Sequence, residues 1–162
     1  MKVLKYLNER IEEIMLVGLL GSMAGIIGIQ VFMRYVMRNS LSWSEEIARY
    51  MFVWLVYIGI SYGVKKKAHI KVEAALMILP EKMKTVVFFI SDFLFLFFAT
   101  FITYKSYEMC ALINELDQVS PAMGIKMAFV YMALPVGYAL ISLRLIQNII
   151  ERINAVRKGE LK

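Results

Sequence analysis

Two residue types that build many protein sites are nearly missing from this chain. It has one cysteine, Cys110, and one histidine, His69. A lone cysteine excludes an internal disulfide, a cysteine-based zinc site and two-cysteine redox chemistry. A lone histidine excludes any site that needs a pair of imidazoles. His69 also lies between apolar runs rather than inside one, so histidine-ligated haem between helices fails. The chain has no G-x-x-x-x-G-K-[ST], H-E-x-x-H, G-x-S-x-G or G-x-G-x-x-G. No catalytic, cofactor-binding or metal-ligating residue is expected, and no enzyme. Apolar residues, in contrast, are abundant. They make up 60% of the 162 residues, against roughly 45–50% in an ordinary globular chain, and the mean hydropathy is +0.63. With 10 Phe, 12 Met and 9 Tyr, there is more apolar surface than one small core can bury. Lipid must be part of the solvent, and a disordered chain, a secreted disulfide scaffold or a nucleic-acid partner is disfavoured.

Four long apolar runs cover 14–36, 47–64, 86–104 and 127–150, each with a single formal charge: Arg34, Arg49, Asp92 and Arg144. About 20 helical residues cross a bilayer core. Lipid cannot satisfy free backbone groups and four spans cannot close a barrel, so each run is expected to be a transmembrane helix. The fold class is therefore an all-α integral membrane protein, a single four-helix domain over 1–162. A cleaved signal peptide is not expected: the first run is too long, and Glu12 and Glu13 stand where a basic segment belongs. Lys and Arg number thirteen in the N-tail, the second connection and the C-tail together, against three in the first and third connections. The positive-inside rule then puts both termini in the cytoplasm. Two cytoplasmic segments read as amphipathic. One is the N-tail, with Leu4, Leu7, Ile11 and Ile14 on one stripe; the other is an interfacial stretch over about 68–80, ended by Pro80.

Some residues inside or beside the spans invite a role. Gly18, Gly21, Gly25 and Gly28 share one helical face, and Gly59 and Gly63 repeat the spacing in the second run. Faces stripped of side chains let helices approach closely in lipid, so these read as packing seams. At the outer end of the first hairpin, Arg34 and Arg38 face a segment holding Ser42, Trp43, Ser44, Glu45, Glu46 and Arg49. Ser42 or Ser44 is placed to cap the helix, Trp43 to anchor at the interface, and either glutamate to pair with Arg49. The cluster is either a substrate or ion site, or a charge network locking the hairpin or a partner; charge pairs near water favour the second. Asp92, about 12 Å along its helix from Lys84, is an intramembrane acid. It is a candidate for a proton or sodium path, or else neutral or bonded to a neighbouring hydroxyl. Arg144 reads as a snorkelling anchor. Four short spans without an internal repeat make a poor alternating-access machine alone; the chain looks like one part of a larger assembly.

Three stretches carry a family resemblance. Trp43-Ser44-Glu45-Glu46-Ile47-Ala48-Arg49 with Trp54 resembles the W-x-E-E-x-x-R-x-x-x-x-W stretch of the small membrane (Q, DctQ-like) subunit of tripartite ATP-independent periplasmic (TRAP) transporters. Ala68-His69-Ile70-Lys71-Val72-Glu73 with Leu79-Pro80 resembles its H-I-x-V-[DE]…L-P segment. Ser120-Pro121-Ala122-Met123-Gly124-Ile125, then Ala133-Leu134-Pro135-Val136-Gly137, supplies the third match, from which Lys126 departs. The resemblance implies a bacterial inner-membrane subunit that moves no cargo itself. Its partners would be a large membrane subunit (M) that carries an organic acid and sodium by an elevator-type motion, a periplasmic substrate-binding protein (P), and the phospholipid bilayer. Sodium coupling is expected in the large subunit. Trp43, Glu45, Glu46, Arg49, His69 and Pro121 are carried over to structural or docking roles. Dicarboxylates, sialic acids and other carboxylates all stay open as cargo. The alternative is a self-sufficient homo-oligomeric small channel or exporter built on the glycine seams and Asp92.

Overall fold

Helices dominate because apolar runs of this length leave the backbone no partner but itself. The computed structural model describes residues 2–39, 41–66 and 81–157, with α1 at Lys2–Tyr35, α2 at Ser42–Lys65, α3 at Glu81–Glu115, α4 at Ala128–Tyr131 and α5 at Ala133–Arg157. Among the described residues, four helical segments are long and apolar enough to cross a membrane: Arg10–Tyr35, Ser42–Lys65, Val86–Glu115 and Ala128–Arg157. The N-tail continues α1 rather than forming a separate element. The interfacial stretch 68–80, with His69, Glu73 and Pro80, lies outside the described residues.

Proline and hydroxyl residues are accommodated locally. Pro135 has no N–H to give the Tyr131 carbonyl, and the last span is interrupted there, at Met132, between α4 and α5. Within α3 the hydroxyls of Thr100, Thr103 and Ser106 donate back to the carbonyls of Leu96, Ala99 and Ile102 at 2.8, 2.8 and 2.6 Å, so polar side chains cross the apolar layer already satisfied.

The helices pack in a row, α1 on α2, α2 on α5, α5 on α3, while α1 and α3 share no packed interface. The two inner helices hold the core: Val64 meets Ile141 and Leu145 of α5 and Ala99 of α3, flanked by Phe95, Leu96 and Tyr138. Small residues set the spacing. At Gly137 an added Cβ would stand 2.5 Å from the Cβ of Tyr57, which makes this the closest approach of α2 and α5 at any glycine. The Tyr57 and Phe98 rings lie around Tyr138, with centroids 5.7 and 6.4 Å away.

The outer helix α1 touches its neighbour along one stripe only. Leu16, Leu19, Met23, Ile26, Gln30 and Met33 are half-buried there, spaced three and four apart, and Leu16 is the side chain nearest a Cβ built on Gly59, at 3.8 Å. Each of Gly18, Gly21, Gly25 and Gly28 follows a member of this stripe by two residues, about 200° round the helix. The glycine face therefore points away from the other described residues. A Cβ at any of the four would meet nothing within 4 Å.

Candidate functional site

The residues singled out by chemistry resolve into two polar clasps, one at each end of the helices, and an ion pair between α3 and α5. At the end carrying the chain termini, Glu12 of α1 is buried, 2% exposed. Its Oε1 accepts from Ser61 Oγ at 2.8 Å and from Arg144 Nε at 2.9 Å, and Lys65 Nζ lies 3.1 Å from Oε2. Arg144 also donates to Gln147 Oε1 at 2.7 Å, and Asn148 Nδ2 donates to the Val64 carbonyl at 2.9 Å. One carboxylate against two cations, with two hydrogen bonds on Oε1 and an ion pair at Oε2, ties α1, α2 and α5 together; such a charge is tolerable in a low dielectric only when paired. Arg144 does not snorkel. Its guanidinium is buried because a carboxylate from α1 reaches it. Arg144 stands out in sequence as the one charge of its run, but Glu12, 132 positions earlier, lies just before the first run and nothing local pairs the two.

At the opposite end, Glu46 holds a loop. The segment between α3 and α4 folds back as a short hairpin. Val119 and Lys126 form an antiparallel bridge, Met127 N–H donates to Gln118 at 2.8 Å, and Ser120 N–H donates to Ile125 at 2.8 Å. Gly124, at φ +66°, closes the tip, where a side chain would be strained. Glu46 Oε2 accepts the N–H groups of Ala122 and Met123 at 2.9 and 3.1 Å, and Tyr50 OH donates to Oε1. Two successive amides converging on one carboxylate make a charged clamp on the tip. Pro121 sits exposed in this tip. Lys126, the departure from the family pattern, pairs with Asp117 at 3.0 Å across the base of the hairpin.

The hairpin charges thus separate. Glu46 turns inward to the loop, while Glu45 and Arg49 form an exposed pair at 3.6 Å. Arg34 and Arg38 stay exposed, Arg38 at φ 54°. Neither Ser42 nor Ser44 caps α2 with its side chain. Leu41 is the N-cap, and Ser44 Oγ donates to its carbonyl at 2.7 Å. Trp43 is exposed in the first turn. Asp92 has a cationic partner rather than a hydroxyl: Arg152 of α5 lies 3.2 Å away, its guanidinium stacked over Phe88 at 4.8 Å. An acid held by an arginine serves the α3–α5 contact. Gly63 meets nothing within 4 Å, so of the second-run glycines only Gly59 touches α1.

The Glu46 clamp makes a local prediction. In Glu46→Ala the amides of Ala122 and Met123 lose their acceptor, and their hydrogen exchange should quicken by about an order of magnitude. Amides at the centres of α2 and α5 should be unchanged. Equal acceleration throughout would show the residue supports the whole bundle instead.

A family model described as "Tripartite ATP-independent periplasmic transporters, DctQ component" matches residues 23–155. Two Haemophilus influenzae proteins provisionally named as TRAP transporter small permeases are similar to the chain. One is 30% identical over 82% of this chain and 79% of its own length; the other is 27% identical over the whole chain and 99% of its own. The Oleidesulfovibrio alaskensis isethionate TRAP transporter permease protein DctMQ is 27% identical over 91% of this chain, which spans only 24% of that longer relative. Other relatives bear names that mention sialic acid and C4-dicarboxylates.

Proposed function

Because the chain belongs to the DctQ component family of TRAP transporters, we propose that it is the small membrane subunit that braces a large permease subunit and carries no cargo itself. The observation behind this is the longer DctMQ relative, in which a stretch similar to this chain makes up a quarter of one permease polypeptide. The geometry agrees. Arg144 and Asp92 are each paired with a charge on another helix, which suits a rigid part. Elevator-type transport by a companion needs a wall that stays still while another body slides, and a row of clasped helices widens such a wall.

In this reading both termini lie in the cytoplasm of a bacterial inner membrane, sodium coupling and organic-acid binding reside in the large subunit, and a periplasmic binding protein delivers the cargo. The large subunit lies against the outward face of α1. That helix is packed on one side only, and its glycine stripe leaves room for a neighbouring backbone.

Two measurements test this. Co-expressed with its large subunit, Gly21→Leu with Gly25→Leu should lower recovery of the complex about tenfold. The isolated chain should melt unchanged, since these positions touch nothing within 4 Å among the described residues. Vesicles holding the chain alone should show no flux of carboxylates or sodium. Flux from the chain by itself would favour a self-sufficient channel and defeat the proposal.

A further inference from the structure

Between α2 and the α4–α5 segment lies a groove of about 440 Å³, lined by Arg49, Val53, Val56 and Tyr57 on one wall and by residues such as Val130 and Leu134 on the other. Its size falls within the range of small-molecule sites, and apart from Arg49 and the thioether of Met127 its lining is aliphatic or aromatic. Tyr50, also in the lining, already donates its hydroxyl to Glu46. The contact of Tyr57 with Gly137 brings the helices together at the deep end. From Arg49 to Tyr57 the groove follows α2 for eight residues, about 12 Å, and one leaflet of the hydrocarbon core is about 15 Å deep. The mouth holds a guanidinium whose ion pair with Glu45, at 3.6 Å, is longer than a hydrogen bond, with both side chains more than two-thirds exposed.

We propose that this groove holds an acyl chain of a phospholipid, whose phosphate rests on Arg49. A groove with a cation at its mouth, apolar walls below and the depth of one leaflet matches the order of parts in a phospholipid. A protein helix laid over it would bring apolar surface against Arg49 and supply no anion; a phospholipid brings the anion at the correct end. The inference depends on membrane placement, not on the transport role.

The full chain, placed in nanodiscs of phosphatidylethanolamine and phosphatidylglycerol with a small fraction of a phosphatidylethanolamine bearing a diazirine at its tail end, gives the test. On irradiation, adducts should concentrate on residues 53–57 and 130–134, about five- to tenfold above the lipid-facing stretch of α3 around 93–101. Arg49→Ala and, separately, Val56→Trp should each bring groove labelling down to the α3 level while α3 labelling holds, which also reports that the fold survives. Uniform labelling, or labelling indifferent to both substitutions, overturns the proposal. So does loss of groove labelling when the large subunit is assembled, which would put a polypeptide there.

Discussion

Glu12→Ala is expected to destabilise the chain by about 3–5 kcal/mol, the cost of removing one partner from a buried charge pair. The substitution takes from Arg144, Lys65 and Ser61 the carboxylate that gathers them. The damage should centre on α1, which has no other buried polar link to the inner helices among the described residues. Thermal unfolding in mild detergent reads the loss, and limited proteolysis should cut the Arg10–Leu20 region first. Glu12→Gln, which keeps the acceptor oxygen but not the charge, should fall between. A melting temperature unchanged in Glu12→Ala would mean that apolar contact with α2 alone holds α1.

Gly137→Ala should cost about 1–3 kcal/mol, the range for overpacking a well-filled contact. The new methyl would lie 2.5 Å from the Tyr57 Cβ and 3.1 Å from its Cγ, and a Cβ cannot swing aside as a side-chain tip can. Relief requires α2 and α5 to part, which disturbs the Tyr57–Tyr138 ring contact as well. Tyrosine fluorescence and melting temperature should both shift. The matched control is Gly25→Ala, which adds the same methyl into open space and should leave the isolated chain unaffected. Because Ala is the better helix former, propensity opposes any loss, and equal loss in the two variants would show that crowding against Tyr57 is not its cause.

How much of this was legible in the sequence depends on the range of the contact involved. The four helices follow from apolar length alone, and the pairing of Arg49 with Glu45 from a spacing of four. The pattern of glycines showed that one face of α1 is bare, but not that it points away from α2; that needed the opposite stripe of Leu16, Leu19 and Met23 to be seen buried. Glu12, Arg144 and Gly137 were underread for one reason. Their partners lie in other helices, and nothing local distinguishes a paired charge from a snorkelling one, or a crowded glycine from a merely common one. Glu46 was noticed as part of a charged hairpin, yet its bond to two backbone amides 76 and 77 residues away leaves no trace in spacing. Asp92 reads from sequence only as an intramembrane acid; its partner Arg152 lies sixty positions later in another helix.

Packing the helices side by side, with α1 at one edge and α3 at the other, has a mechanical corollary. With neighbours about 8–10 Å apart, the three gaps between four axes reach about 24–30 Å from the first axis to the last if the line is straight. The chain is then a plank, not a post. Joined to a larger body by one edge, it acts as an outrigger, and the torque needed to roll that body within the bilayer grows with the distance the plank extends. A modest mass laid out sideways resists tilting more than the same mass gathered into a square.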